Sequence, residues 1–146
     1  MKHTSIILAL FLTFLSSTVF GQQREKIPET EIKEIIELAI ELPELQQYFH
    51  IDVDSTRIPL IIKEFGDINS RNLQGLIKFG EQVQVLNEKT IKQNGIKAFL
   101  SIGDWTYGSN NLRLQIDYSI EGILINIRLK RISEHWEIVD SVIFEE

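Results

Sequence analysis

Three C-terminal segments spanning residues 112–144 alternate apolar and polar side chains with period two, and one register satisfies all three at once. If Glu121-Gly122 and Ser133-Glu134 are the two-residue turns of a three-stranded meander, the strands line up in four rows. Leu114, Leu129 and Ile138 form the first row, and Ile116, Ile127 and Asp140 the second. Tyr118, Ile125 and Val142 form the third, and Ile120, Ile123 and Phe144 the last. A slip of one residue would turn this apolar face to water, so the pattern restricts the fold strongly. Asp140 is the misfit, a carboxylate in an apolar row.

The first 21 residues are read as a signal peptide. Met1-Lys2-His3 is a short basic start, residues 6–15 are almost wholly apolar, and Val19-Phe20-Gly21 supplies a cleavage site before Gln22. The apolar run is too short to span a bilayer comfortably, and no second one follows, so the mature chain is expected to be exported to the periplasm or exterior without a transmembrane segment. With no cysteine in the sequence, disulfides, thiolate metal sites and a lipid anchored on cysteine are excluded. Removing the leader leaves 125 of the 146 residues and moves the formal charge from −6 to −7. That is one domain, 29–146, preceded by a flexible lead-in at 22–28. Glu25, Glu29, Glu31, Glu34, Glu37, Glu41 and Glu44 crowd the front, and no basic face with net positive charge is present, which argues against a nucleic-acid partner.

Pro28-Glu29-Thr30 can open a helix whose apolar stripe is Ile32, Ile35, Ile36, Ala39, Ile40 and Leu42. Pro43 should end or kink it, and residues 44–50 can continue as a short helical piece carrying Leu45, Tyr48 and Phe49. Strand-like runs follow at 58–65 and 82–87, separated by residues 67–80, which fit either a short helix or an irregular crossing. Residues 89–94 read as a polar turn or one helical turn closed by Asn94-Gly95. Residues 96–107 read as a long strand that can bend at Gly103, and 108–111 as the turn into the meander. The expected fold class is α+β, with one main N-terminal amphipathic helix packed on a curved antiparallel sheet that ends in the three-stranded meander.

The closing segment Gly122-Ile123-Leu124-Ile125-Asn126-Ile127-Arg128-Leu129-Lys130-Arg131, followed by His135-Trp136-Glu137-Ile138, resembles the cystatin-like superfold that includes the nuclear-transport-factor-2-like domains. There a strand of the form Trp-x-Ile commonly closes a curved sheet. The resemblance covers about residues 29–146 and implies a small secreted bacterial protein, with an enclosed pocket where three helices form a cone.

Three readings of Asp140 are open: an edge position or a β-bulge near Asp140-Ser141 that turns it to solvent, a buried hydrogen-bonding role, or a general acid or base with a pKa raised by burial. The first is favoured. His50 and His135 have no partner at metal-ligand spacing, and Asp52 and Asp54 beside His50 lack the glycine and closing glutamate of a calcium loop, so no metal or cofactor is assigned. No motif frames a nucleophile. The candidate ligand- or partner-binding residues are Trp105, Tyr107, Tyr118 and Trp136, which either cover the core or grip an apolar ligand. Simple alternation puts Trp105 and Tyr107 on the side of Gly103, opposite Ile102 and Asp104, and sets Arg131 across from Trp136 for a cation–π contact.

The expected function is therefore a non-catalytic binding module for an unknown protein, peptide or small apolar ligand. The alternative is a small pocket enzyme, a hydrolase or isomerase, using Asp140.

Overall fold

The computed structural model describes residues 26–145, so the leader assigned to 1–21 and the first part of the lead-in lie outside the described residues. The architecture is α+β. Helices α1 (Glu29–Ile40) and α2 (Pro43–Phe49) come first, followed by a 3-10 turn at Ser55–Arg57. Then come the short strands β1 (Ile61–Lys63), β2 (Ile77–Lys78), β3 (Glu81–Gln82) and β4 (Gln84–Leu86), and helix α3 (Glu88–Gln93). The chain ends in four long strands, β5 (Ser101–Gly108), β6 (Asn111–Tyr118), β7 (Ile123–Ile132) and β8 (His135–Glu145). These pair consecutively and antiparallel in the order β5-β6-β7-β8.

Helix α1 forms where the stripe demands it: Ile32, Ile35, Ile36, Ala39 and Ile40 are all buried. Ile27, assigned on sequence to the flexible lead-in, is buried with them. Pro43 opens α2, because its missing N–H falls where a helix start has no acceptor to offer. The sheet meets α1 with its inner face, made of Leu112, Leu114, Ile116 and Tyr118 on β6, Ile123, Ile125, Ile127 and Leu129 on β7, and Trp136 on β8.

The register departs from the expected one in two places. Strand β6 pairs Leu114 with Ile127 and Ile116 with Ile125, a shift of two residues. The connection is longer than a two-residue turn, being a 3-10 turn at Ser119–Glu121 closed by Gly122 in the left-handed region at φ 62°. An even shift keeps every side chain on its face, so the apolar face survives. Between β7 and β8 the Ser133-Glu134 turn sets Leu129 against Ile138 and Arg131 against Trp136 as expected. A bulge at Val139 then pairs Arg128 with Asp140 and Ile127 with Ser141, which turns Asp140 to the open face as its favoured reading expects and reverses the predicted faces of Val142 and Phe144.

The middle of the chain is less regular. The strand predicted over 58–65 shrinks to β1, which pairs in parallel with β4 instead of antiparallel. Segment 67–80 is an irregular crossing that buries Ile68, Leu73 and Leu76 and ends in the β2–β3 hairpin. A crossing of this length is what a parallel pair requires. The strand predicted over 96–107 begins only at Ser101. Leu100, just before it, is held beside β1, where its N–H donates to Ile61 O at 2.9 Å and its O accepts from Lys63 N–H at 2.8 Å. Helix α3 is capped by Asn87, whose side chain accepts from Thr90 N–H at 2.8 Å.

Polar contacts fix where α1 sits. The Trp136 indole N–H donates to Glu31 Oε2 at 2.8 Å, Arg131 Nη2 lies 2.7 Å from Glu31 Oε1, and the Trp136 backbone N–H donates to Glu34 Oε1 at 3.1 Å. Beyond the other end of α1, the buried amine of Lys78 donates to Gln46 Oε1 at 2.7 Å, pairs with Glu41 at 2.9 Å and lies 4.9 Å from the Phe79 ring centroid. Replacing Glu31 with alanine should therefore cost about 2 kcal/mol in urea unfolding, because it strands the indole N–H of buried Trp136 and removes the partner of a half-buried guanidinium. Glu37→Ala on the exposed side of the same helix should change stability by no more than about 0.5 kcal/mol.

Candidate functional site

Strands bury one face and leave the other to water. On the open face the two central strands carry Arg113 and Gln115 on β6 and Asn126, Arg128 and Lys130 on β7. Gln115 Nε2 donates to Asn126 Oδ1 at 3.0 Å across the ladder. Arg113 and Arg128 stand directly opposite each other, a like-charge pair. Arg128 is compensated by Asp140, with Nη2 and Nε at 2.9 and 3.2 Å from Oδ2. Arg113 has no ion-pair partner among the described residues. A shallow cleft of about 330 Å³ runs along Asp104, Arg113, Gln115, Asn126 and Arg128.

Beside this polar strip the edge strand β8 exposes an apolar cluster. Val139, Val142 and Phe144 are 53, 44 and 48% exposed. Phe144 lies across from Leu124 and Val142 across from Asn126, so the cluster borders the strip directly. Sequence reasoning put Val142 and Phe144 inside. A single extra residue reverses the phase of a strand, and its only signal in the sequence was the misfit of Asp140.

Asp140 itself is on the open face, with its side chain 47% exposed and ion-paired to Arg128. The four aromatic candidates lie on the packed side. Tyr118 and Trp136 are 1 and 3% exposed, so neither offers a surface to a ligand. Trp105 and Tyr107 are half-buried against the core, and the Tyr107 ring meets Trp136 edge-on at 5.8 Å. Gly103 is a second bulge, so Ile102, Trp105 and Tyr107 share the inner face while Asp104 turns outward, which corrects the simple alternation. Arg131 lies opposite Trp136, but its Nη2 pairs with Glu31, and its buried Nε has no hydrogen-bond partner among the described residues.

At the end of the sheet a second polar cluster gathers around Arg57. Its guanidinium donates to the Tyr48 and Phe49 carbonyls at 3.2 and 3.4 Å, closing the C-terminus of α2, and pairs with Asp54 and Glu121. His50 Nε2 lies 3.1 Å from the second Glu121 oxygen. Asp54 caps the 3-10 turn, and hydrogen bonds from the Thr56 side chain and backbone, then from Arg57, hold its pKa below the usual carboxylate value. His135 lies elsewhere, 3.5 Å from Glu34. Among the described residues no three His, Asp or Glu side chains converge as metal ligands, and no helix is long and apolar enough to cross a membrane. No family model, curated protein or solved structure matches the chain.

Burial raises the Tyr118 pKa above 10, opposed by the charge and hydrogen bond of Arg57. The folded state thus holds this proton longer than the unfolded chain. The stabilisation is complete below about pH 10 and is lost as pH rises through the folded value. Urea midpoints should accordingly fall more steeply as pH rises above about 10 in the wild type than in Tyr118→Phe.

Proposed function

We propose that the chain is a non-catalytic binding module of the cell envelope or exterior that engages a peptide or protein segment on the open face of its sheet. The observation that carries this reading is the exposed trio Val139, Val142 and Phe144 set against a strip bearing Arg113, which has no ion-pair partner among the described residues. An exposed apolar cluster rimmed by charge is the signature of an interaction surface. The complementary segment presents an apolar anchor to Val142 and Phe144 and a carboxylate to Arg113. Arginine is suited to this role because its planar fork binds carboxylates in two places at once.

The wider setting is read from the sequence. The basic, apolar and small-residue pattern of 1–21 supports export, and the lack of cysteine is compatible with an oxidising compartment. The Trp136-x-Ile138 strand supports the cystatin-like or nuclear-transport-factor-2-like architecture, with α1 laid across a curved sheet. In this reading the helices serve to hold the sheet rather than to roof a pocket.

A displayed library of random peptides should yield binders whose affinity falls more than about 10-fold with Val142→Asp or Phe144→Ser, while both variants keep the wild-type melting temperature. Selected peptides that bind both variants undiminished would overturn the reading. Mature protein recovered from its native host should begin at Gln22 and be found outside the cytoplasm, as N-terminal sequencing of cell fractions will test.

A further inference from the structure

We propose that the cleft beneath helix α3 is a binding site for a small apolar monocarboxylate, an aryl or short alkyl acid. It is a separate surface from the open sheet face. The cleft has a volume of about 240 Å³ and is built by α3, the segment 95–99 that follows it, and Lys63 of β1. Its apolar lining is Ile91, which is buried, with the half-buried Ile96 and Phe99. An apolar cavity of about 150 Å³ accommodates benzene, and drug-sized ligands need about 300–1,000 Å³. The space therefore suits one ring or a short chain.

Charge selects the rest of the ligand. Lys63, Lys92 and Lys97 line the same cleft with a single acid, Glu88, an excess of two positive charges in a chain whose formal net charge is −6. Glu88 is occupied: Lys92 Nζ lies 2.7 Å from it, and that hydrogen bond, the Lys92 charge and then the Lys63 charge hold its pKa below the ordinary glutamate value. Lys97 has no hydrogen-bond or ion-pair partner among the described residues. An apolar body inserted between Ile91 and Phe99 brings a carboxylate to Lys97 and Lys63, where partial desolvation strengthens the ion pair. A neutral ligand of the same shape gains only the burial, and a bare anion such as acetate gains only the charge.

Full-length mature protein is titrated with phenylacetate and with hexanoate, and backbone amide shifts are followed by NMR. Saturable shifts at Ile91, Ile96 and Phe99 below about 10 mM, with the sheet amides unmoved, are the expected result. Benzyl alcohol and acetate should each bind at least about 10-fold more weakly than phenylacetate. The double variant Lys63→Gln/Lys97→Gln removes two ammonium charges, one at a half-buried and one at an exposed position, and should weaken phenylacetate at least about 5-fold while leaving the spectrum folded. Absence of saturable shifts, equal binding of benzyl alcohol, or undiminished binding by the lysine variant overturns the proposal. None of these outcomes depends on peptide binding at Val142 and Phe144, so the two sites fail or stand separately.

Discussion

A strand can present only every second side chain to a core, and the sheet β5–β8 satisfies that rule over its whole length only because it breaks it twice. One bulge falls at Gly103 on β5 and the other at Val139 on β8, the two outer strands of the sheet. Each resets the phase just before an aspartate, sending Asp104 and Asp140 to the open side and returning Trp105, Tyr107, Ser141 and Ile143 to the packed one. Without the Val139 bulge Asp140 would stand among Ile127 and its neighbours, and a lone carboxylate there is far costlier than an interrupted ladder. The same bulge exposes Val142 and Phe144, so the feature that protects the core also creates the candidate interaction surface.

Helix α1 is tied to this sheet by contacts that differ in kind. The apolar stripe supplies most of the favourable free energy, at about 1.5–3 kcal/mol for each fully buried isoleucine, but it would tolerate sliding. The carboxylates of Glu31 and Glu34 do not, because their partners on Arg131 and Trp136 have fixed directions. They sit in the first turns of the helix, where the dipole favours negative charge. Glu31 is thereby matched to its own helix and to the β7–β8 hairpin together. This anchors β8, which as an edge strand has one side without a neighbour in the sheet. The remaining hazard of that edge is moderated by the bulge and by Glu137 and Asp140, which discourage indiscriminate strand pairing.

What the sequence disclosed follows from which signals are local. The stripe from Ile32 to Ile40, the break between helices at Pro43 and the Ser133-Glu134 turn depend on a few adjacent residues and were legible. The β6–β7 pairing was not, because Ile120 continues the apolar alternation of β6 and so reads as strand, whereas Ser119–Glu121 form a 3-10 turn. The parallel β1–β4 pair was illegible for a similar reason. Its strands are three residues each, too short for a periodicity, and they are brought together by burial of Leu73, Leu76 and Val83 in the intervening crossing. Asp140 shows both limits: its conflict with the pattern pointed to a bulge near Asp140-Ser141, one residue from the one at Val139, but the four rows of the meander were drawn without it and so misplaced Val142 and Phe144.

The charge balance separates the global field of the molecule from its local chemistry. Many acids are spent internally, Glu31 on Arg131, Glu41 on Lys78, Glu121 on Arg57 and His50, so Arg113 and Lys97 have no ion-pair partner among the described residues although acids outnumber bases by six. An approaching anion therefore meets net repulsion at long range and attraction at contact. The Debye length is about 30 Å at 0.01 M salt and about 8 Å at 0.15 M, which removes the first effect well before the second. Association of an acidic partner with either surface should thus be slowest in very dilute buffer, fastest at moderate ionic strength, and limited at high salt by weakening of the contact pair itself.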